Sequence, residues 1–481
     1  MPPTETPSRS RRLALGVLAT GMLMTILDGS IVTVAMPAIQ SDLGFTPVGL
    51  SWVVNAYLIA FGSLLLLAGR LGDLIGRKRM FLAGTGVFTA ASLLAGVATS
   101  PGVLIAARFL QGAGSAMASA VSLGILVTLF TAPRERAKAI AVFSFTGAAG
   151  ASLGQVLGGV LTDALTWNWI FFINLPIGVA ALLAALPALP ADRGLGLKAG
   201  GGADVVGALL VTSGLMLGIY AVVKIEEYGA GSAHTLGLGG LALALLAGFV
   251  VRQATARNPL MPLRIFRSRS VLGANLVQML MVAALFSFQI LVALYLQKVL
   301  GYGAAETGLA MLPAAAVIGA VSLGVSARLN ARFGERTVLL AGLVLLVGLL
   351  GLLTRLPVNA SHASYATDLL PVMLLAAGFG LALPALTSLG MSGAKEEDAG
   401  LASGLFNTTQ QIGMALGVAV LSTLAAFRTE SLTASGRPAA EALTGGYHLA
   451  FAVGTGLLLA ALAVAATVLR RPRPAAAPRY A

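Results

Sequence analysis

Two ionisable side chains, Asp28 and Arg108, lie inside stretches of sequence that are otherwise apolar. The chain carries 18 acidic and 31 basic residues, and only these two fall well inside an apolar stretch long enough to cross a membrane. A charge at the centre of a bilayer costs about 2.5–3.5 kcal/mol on insertion scales, so such residues mark functional sites by default. Asp28 and Arg108 are therefore the first candidates for chemistry in this chain.

The chemistry that these two groups offer is reversible proton binding. A carboxylate in a water-filled chamber whose polarity changes can bind and release a proton, and a nearby guanidinium can modulate that step. We predict that Asp28 and Arg108 face such a chamber and couple a proton to a conformational change. The alternative is a buried pair that only sets helix packing.

Polar side chains recur at helical spacing in three of the apolar stretches. Arg108 heads a stripe that continues through Gln111 and Ser115 on one face of a helix. Amides recur in two later stretches beside phenylalanine and methionine, which suits a bulky, mostly apolar ligand. Hydrogen bonds between helices would explain the same amides equally well. The candidate ligand-binding residues are Thr25, Asp28, Gln111, Ser115, Asn275, Gln278, Phe286, Gln289, Asn407, Gln411 and Met414.

A ridge of glycines precedes residue 160. Gly150, Gly154 and Gly158 recur at every fourth position, with Gly159 beside them, and so remove the side chains from one face of a helix. Such a ridge lets a second helix approach closely. Tight packing is one interpretation, and a hinge or a seal against proton leakage is the other.

The elements that must position these residues are membrane-spanning helices. The chain is 57% hydrophobic and 10% charged, with a mean hydropathy of +0.90, whereas a soluble domain carries about 25% charged residues. A helix needs about 20 mostly apolar residues to cross the hydrocarbon core. Fourteen segments meet that criterion, at 13–38, 50–69, 80–98, 103–130, 138–161, 168–189, 204–223, 236–251, 270–297, 306–327, 337–354, 368–390, 402–425 and 447–469.

Basic residues lie mostly on one side of the predicted membrane. Placing the N-terminus in the cytoplasm puts 25 of the 31 Lys and Arg on the cytoplasmic side. Arg108 lies in a span, and the basic residues in predicted outer segments are Lys224, Lys298, Arg355, Arg428 and Arg437. This bias sets the orientation, and an anionic inner leaflet accounts for the net charge of +13 without nucleic acid.

The residue usage also indicates a source and excludes several kinds of site. The 25 Arg against 6 Lys, with abundant Ala and Gly, are typical of a GC-rich bacterium. We therefore expect a bacterial inner-membrane protein with both termini in the cytoplasm. The absence of cysteine excludes disulfides, thiolate metal sites and iron–sulfur clusters, and we expect no metal and no cofactor.

A short internal repeat divides the chain into two halves. Residues 69–79 and 327–337 share Arg70/Arg328, Leu71/Leu329 and Gly76/Gly334 without gaps. Two six-helix halves with a ligand site between them form a known transporter architecture. The predicted division is a cytoplasmic tail (1–12), a six-helix bundle (13–189), two additional spans (190–269), a second six-helix bundle (270–469) and a basic tail (470–481).

The motifs resemble those of the fourteen-span drug:proton antiporters of the major facilitator superfamily, over nearly the whole chain. The first-span signature is the segment 27–37, and Arg108, Gln111 and Gly112 match the motif linked to proton coupling. Segments 167–176 and 258–266 match further landmarks of the group. The residues that match the superfamily loop motif are Gly69, Leu71, Asp73, Gly76, Arg77 and Lys78.

The resemblance implies a fold, a function and a gate. The fold would be all-α, with two six-helix bundles and two inserted helices, and the gate would be cytoplasmic, formed by Gly69, Asp73, Gly76, Arg77 and Lys78. It would place Asp73 at a helix start, paired with a nearby arginine. Relatives carry a proline after the second glycine of the span-5 motif. This chain has Gln155 there, so the bend that a proline imposes is absent.

The function implied is proton-driven export, by a non-enzymatic carrier, of hydrophobic small molecules, cationic ones among them, or of an antibiotic-like natural product. The partners would be the small molecule, H⁺ and the lipid bilayer, with the monomer as the working unit and the proton gradient as the energy source. ATP-driven pumping is disfavoured because the chain has no Gly-x-x-x-x-Gly-Lys-Ser/Thr phosphate loop. The alternative that stays open is a facilitator that imports or exports another metabolite.

Overall fold

The computed structural model describes residues 8–130, 133–190, 194, 204–229, 231–261, 263–357, 365–392 and 399–469. Within these residues the chain forms fourteen long helices and no strand. They are α1 (Ser8–Leu43), α2 (Trp52–Ile75), α3 (Arg77–Gly96), α4 (Pro101–Leu129), α5 (Pro133–Ala164), α6 (Asn174–Ala188), α7 (Val205–Val223), α8 (Ala233–Thr255), α9 (Arg269–Lys298), α10 (Ala304–Ala320), α11 (Glu335–Leu353), α12 (Ala377–Ser392), α13 (Ala399–Ala434) and α14 (Ala439–Thr467).

Short helical pieces join or extend some of these helices. One turn (Trp169–Phe172) precedes α6, and two (Tyr365–Leu369 and Leu370–Leu374) precede α12. A π-helical turn (Val321–Val325) carries α10 into a further helical piece (Ser326–Phe333). Together these pieces give α10 and α12 the length that a membrane span requires.

Each predicted segment coincides with one of the fourteen helices, and the all-α prediction is confirmed. Thirteen helices of the described chain are long and apolar enough to cross a bilayer; α5 also runs for 32 residues. Of the predicted tails, residues 1–7 and 470–481 lie outside the described residues, as do parts of the predicted 190–269 segment. The helix α1 begins at Ser8, before the predicted start at residue 13, because the polar segment that precedes the apolar stretch is also helical.

Local sequence explains where several helices begin. Ser100 accepts a hydrogen bond from the backbone N–H of Val103, and Pro101 takes the first helical position of α4. Asp204, Ser232 and Ser268 act in the same way at the starts of α7, α8 and α9. Short oxygen-bearing side chains at these positions satisfy backbone donors that have no partner within the helix.

The buried apolar residues gather into two main bodies. One is formed by α9 to α14, from Ala274 to Leu469. The other is formed largely by α1 to α6 as two clusters, with a few residues of α7, α9 and α13 packed against them. We call α1–α6 the first half and α9–α14 the second half. The additional helix α7 docks on the first half through a hydrogen bond from Thr212 Oγ1 to Ser63 Oγ of α2 (2.9 Å).

The repeated segments form the same junction in the two halves. Gly76 joins α2 to α3 with φ 104° and ψ 132°, and Gly334 precedes α11 with φ 82° and ψ 146°. Only glycine adopts such a conformation readily. Residues 70–79, which lie between two predicted spans, therefore contain only a one-residue break, since α2 continues to Ile75 and α3 starts at Arg77.

We call the end of the bundle where α1 starts and α14 stops the terminal end, and the opposite end the distal end. The two halves meet at the distal end. Gln297 Nε2 of α9 donates to the Val34 carbonyl oxygen of α1 (3.0 Å), and Lys298 Nζ donates to Gln40 Oε1 (2.5 Å). These contacts hold α9 against α1 in the conformation described.

A second contact between the halves joins α5 to α10. Both carboxylate oxygens of Asp163 accept hydrogen bonds from the backbone at the start of α10, from Ala304 N (3.2 Å) and Ala305 N (2.7 Å). A carboxylate at a helix N-terminus interacts favourably with the unpaired N–H groups and the helix dipole. This contact also closes the distal end.

Candidate functional site

The Asp28 carboxylate lies at the centre of the first half and pairs with Arg108. Arg108 Nη1 donates to Asp28 Oδ2 at 2.5 Å. The second oxygen, Oδ1, accepts from Gln111 Nε2 and from Asn174 Nδ2, each at 3.1 Å. Asp28 is 0% exposed and Arg108 1% exposed. Three donors thus surround a carboxylate that is fully removed from water.

The Arg108 guanidinium has partners in addition to Asp28. Its Nε donates to the Val53 carbonyl oxygen of α2 (2.8 Å), and Nη1 also donates to Gln111 Oε1 (2.8 Å). Its Cζ atom lies 4.5 Å from the centre of the Tyr57 ring and 5.8 Å from that of Phe171. Aromatic faces attract a guanidinium, so the charge is held by a carboxylate, oxygens and ring faces together.

The network extends from this pair to neighbouring helices. Gln111 Nε2 also donates to Ser92 Oγ of α3 (2.8 Å). The Tyr57 hydroxyl donates to Ser115 Oγ of α4 (3.0 Å) and lies 3.3 Å from the Thr25 carbonyl oxygen of α1. Side chains from α1, α2, α3, α4 and α6 therefore meet around one ion pair. A change at that pair would therefore alter the contacts of five of the six helices of the first half.

Sequence reasoning did not identify Tyr57, Ser92 or Asn174 as site residues. Tyr57 and Ser92 carry no charge and lie in long apolar stretches, so no sequence signal separates them from ordinary buried residues. Asn174 stands in one of the landmark segments of the resemblance, directly before the leucine–proline pair at the start of α6. Its position in that segment was the one available signal.

The expectation that Asp28 and Arg108 face water is wrong for this conformation. Both side chains are sealed in helix contacts because Tyr57, Asn174 and Phe171 surround them. Open space nevertheless begins one residue away. A Cβ atom at Gly29 would meet nothing within 4 Å. The backbone of α1 therefore separates the ion pair from a gap on the Gly29 side of the helix.

Helical spacing locates this gap between the halves. Positions 29, 36 and 40 share one face of α1 at intervals of seven and four residues. Met36 and Gln40 of that face line a cavity together with residues of α9, α13 and α14. The open side of Gly29 therefore faces the second half rather than lipid.

The ligand-binding candidates of the first half are all buried. Thr25 is 4% exposed, Ser115 1% and Gln111 0%, and each is hydrogen-bonded within the half. In the conformation described they are part of the Asp28 network and do not line open space. These residues can act on a ligand only through that network.

The candidates of the second half divide into two groups. Asn275 and Gln278 are buried, and the side-chain amide of Gln278 makes no hydrogen bond with any residue that the structure describes. Phe286, Gln289, Gln411 and Met414 are half-buried, and Asn407 is exposed. Phe286 and Met414 pack against the core of the first half, and Gln411 lies against Gly62 of α2. The half-buried group thus lies where the halves meet.

The predicted gate residues lie together at the terminal end. Arg77 donates from Nε and Nη2 to Asp73 Oδ1 (3.2 and 3.1 Å) across the Gly76 break. Lys78 Nζ donates to the carbonyl oxygens of Leu186 (2.6 Å) and Leu189 (2.9 Å) at the end of α6. Gly69, the remaining residue of the motif, lies in α2 against α4. These contacts join α2, α3 and α6 within the first half.

The implied position of Asp73 at a helix start is wrong for this chain. Asp73 lies in the last turn of α2, because the helix continues to Ile75 and ends only at Gly76. Its carboxylate pairs with Arg77 in the first turn of α3. Asp73 is therefore paired with an arginine, as the resemblance implies. The helix that starts nearby is α3, whereas Asp73 itself belongs to the end of α2.

The glycine ridge of α5 packs against α1. A Cβ atom at Gly158 would lie 2.6 Å from the Ile31 carbonyl oxygen, and one at Gly154 would lie 2.7 Å from that of Leu27. Gly150 lies against Leu23 of the same helix. Any larger side chain would push α5 away from α1, which carries Asp28.

The neighbouring positions of α5 face the second half instead. A Cβ atom at Gly159 would lie 2.6 Å from Ala305 Cα of α10, and Gly308 of α10 lies against the backbone of Gln155. The helix α5 runs without interruption through Gln155. The ridge therefore serves two interfaces, one within the first half and one between the halves.

The profile of the Major Facilitator Superfamily matches residues 18–418 of this sequence. The chain belongs to the major facilitator superfamily. It is a multi-pass membrane transporter of small molecules and not an enzyme, which confirms the family suggested by the sequence motifs.

Two curated relatives of this chain are named for antibiotic export or resistance. The chain is 39% identical to the cephamycin export protein CmcT of Amycolatopsis lactamdurans, over 95% of this chain and 92% of that one. It is 37% identical to the puromycin resistance protein pur8 of Streptomyces alboniger, over 95% and 91%.

Solved structures of the superfamily share the fold. An auto-inhibited peptide transporter of the POT family superposes with a TM-score of 0.68 at 17% identity, covering 97% of this chain and 99% of that chain. A bacterial homologue of the lysosomal transporter Spinster superposes with a TM-score of 0.66 at 17% identity, covering 98% and 100%. At this level of identity the likeness shows the fold alone.

Proposed function

We propose that this transporter is a proton-driven exporter of hydrophobic small molecules of the antibiotic class. The observation that carries the proposal is the Asp28–Arg108 pair, which is fully buried in a membrane protein at the centre of a hydrogen-bond network that joins five helices of one half. Burying an ion pair in that place costs free energy, so its presence indicates a function. Relatives named for cephamycin export and puromycin resistance support the substrate class.

The proposed orientation places the terminal end in the cytoplasm of a bacterial cell, in the inner membrane, with both termini inside. The distribution of Lys and Arg supports it. The distal end, where α1 meets α9 and α5 meets α10, then faces outward, and the halves are closed on that side. We propose that the monomer is sufficient for transport, without a cofactor.

In the proposed cycle the proton binds at Asp28. Protonation removes the negative charge that holds Arg108, while the guanidinium keeps the Val53 and Gln111 oxygens as partners. The five-helix network then loses its strongest contact and can repack. Because both groups are sealed in the conformation described, the proton reaches Asp28 only when the wall at Gly29 opens toward the gap.

We propose that the exported molecule binds between the halves and does not touch Asp28 in this conformation. The half-buried Phe286, Gln411 and Met414 offer an apolar and amide surface at that place. The Gly29 face of α1 is the opposite wall. Ligand binding and proton binding would then communicate through α1, whose two faces meet the two sites.

An efflux assay in a host without its own pumps tests the proposal. The test compounds are puromycin and tetracenomycin C, the latter named in a resistance and export protein that is 34% identical to this chain over 85% of its length. Cells that express the wild-type chain should accumulate less of both compounds than cells with an empty vector, and an uncoupler should abolish the difference. Asp28→Asn should remove it as well. Asp42→Asn is the matched control because Asp42 is an exposed carboxylate at the distal end of the same helix, bonded to Trp167.

Two outcomes of this assay would contradict the proposal. Wild-type cells that accumulate these drugs like the vector control would refute antibiotic export. Efflux that persists at the wild-type rate with Asp28→Asn, or with the uncoupler present, would refute proton coupling through this residue while leaving export in place.

A further inference from the structure

A cavity of about 600 Å³ lies at the distal end, between the two halves. Met36 and Leu50 contribute its wall from the first half, and Leu294 and Ala426 contribute its wall from the second half. Pockets for drug-sized ligands measure about 300–1,000 Å³ and are mostly apolar with a few polar groups. None of the ligand-binding candidates identified from the sequence lines this cavity.

Tyr447 presents to the cavity a hydroxyl that is unpaired among the described residues. Tyr447 of α14 lines it and is 4% exposed, and its hydroxyl makes no hydrogen bond within the part of the chain that the structure describes. The ring is buried, whereas the hydroxyl oxygen is accessible from the cavity, where it can donate a hydrogen bond to a bound molecule. An oxygen atom of a bound ligand would satisfy this donor.

The charged groups of the cavity balance each other. Lys298 and Glu430 both contribute to the lining. Lys298 is already engaged with Gln40 across the two halves, whereas Glu430 is exposed and forms no ion pair among the described residues. With one charge of each sign, the cavity does not require a ligand of a particular net charge.

We propose that this cavity is a second ligand site, on the path by which an exported molecule leaves the protein; the inference rests on the proposed function. The ligand class is a drug-sized amphipathic molecule whose apolar body lies against Met36, Leu50 and Leu294. A hydrogen-bond-accepting oxygen of the ligand faces Tyr447. The Lys298–Gln40 contact bridges the halves beside the site and would break when the distal end opens.

The absence of cysteine from the chain allows a direct binding test. Ala426→Cys places a single thiol in the cavity, and Ser431→Cys places one on the exposed side of the same helix, outside the cavity. Each purified variant is reacted with a maleimide with and without puromycin. We expect puromycin to slow the labelling of Ala426→Cys and to leave the labelling of Ser431→Cys unchanged.

A conservative change at Tyr447 tests the polar contact. Tyr447→Phe, made in the Ala426→Cys chain, removes one hydroxyl and keeps the ring that fills the wall. Loss of one hydrogen bond should raise the puromycin concentration for half-protection about fivefold. Unchanged protection in Tyr447→Phe, or equal protection of Ser431→Cys, would overturn the proposal. If added phosphatidylglycerol protects Ala426→Cys and puromycin does not, the cavity is a lipid site and the proposal is wrong.

Export measurements separate this inference from the proposed function. Ala426→Trp fills the cavity and should lower puromycin efflux, while Ser431→Trp should not. Wild-type export without protection of Ala426→Cys would refute the second site and leave the proposed function standing. Protection without wild-type export would refute the proposed function and leave the site.

Discussion

The buried pair of Asp28 and Arg108 predicts strong energetic coupling between the two residues. Removing one partner of a buried ion pair costs about 3–5 kcal/mol, because the remaining charge stays buried without compensation. Asp28→Asn leaves the guanidinium of Arg108, which is 1% exposed, without a partner of opposite charge, although the neutral Val53 and Gln111 oxygens remain. Arg108→Met leaves a carboxylate that is 0% exposed with two amide donors.

A double-mutant cycle measures this coupling. We expect each single variant to be destabilised by about 3–5 kcal/mol and the double variant to be no less stable than the worse single one. The coupling energy would then be roughly 3 kcal/mol, well above the 0.5 kcal/mol within which independent changes add. For a half of this size such a destabilisation lowers the midpoint of thermal unfolding by roughly 10 °C.

Tryptophan fluorescence is a suitable readout because Trp52, Trp167 and Trp169 all lie in the first half. The Arg77–Asp73 pair, whose side chains are 35% and 45% exposed, is the matched control. Asp73→Asn should lower the free energy of unfolding by less than about 1 kcal/mol. Additive effects of Asp28→Asn and Arg108→Met would refute the conclusion that the two charges act as one unit.

Two further predictions concern the inserted helices and the interface between the halves. Burial alone would raise the pKa of Asp204, but hydrogen bonds from Gly207 N–H, Gln253 and Arg252 hold the pKa below its usual value. Its stabilising contribution is therefore present above the unfolded pKa of about 3.9 and lost as the pH falls through the lowered pKa. The difference in the midpoint of thermal unfolding between wild type and Asp204→Ala should be constant above about pH 5 and shrink below about pH 4. A constant difference down to pH 3 would contradict this prediction. Gly159→Ala should lower puromycin efflux several-fold, since the added methyl group meets α10; equal efflux in Gly159→Ala and in the glycine control below would contradict it.

Gly86→Ala is the control for the Gly159 prediction. A Cβ atom at Gly86 would meet nothing within 4 Å. Alanine also has a higher helix propensity than glycine by about 1 kcal/mol. Gly86→Ala should therefore keep wild-type efflux, and any loss of efflux in Gly159→Ala is due to contact and not to the general replacement of a glycine.

The membrane spans and the repeat could be predicted from the sequence because each depends on local properties. Hydropathy over about 20 residues locates the helices whatever their neighbours are. Gly76 and Gly334 recur at equivalent places, and both have positive φ at a helix junction. The length of the break could not be predicted, since α2 extends beyond its apolar stretch to Ile75.

The partners within the site could be predicted only in part. Asp28 and Arg108 stand out because charge is rare in apolar segments, and the sequence left open whether they face a water-filled chamber or form a buried pair. Tyr57 and Asn174 reach the pair through tertiary packing of α2 and α6, which local patterns do not encode. The burial of Gln278 escaped prediction for a similar reason, because α9 is apolar on most of its faces and periodicity does not orient it.

The central claim is that the Asp28–Arg108 pair uses a proton gradient to drive export. Purified protein in liposomes with an imposed pH gradient tests it, with puromycin accumulation and puromycin exchange at equal pH measured on the same preparation. We predict that Asp28→Asn slows gradient-driven accumulation roughly tenfold or more while exchange stays within about threefold of wild type. Gradient-driven accumulation by Asp28→Asn at the wild-type rate would contradict the account.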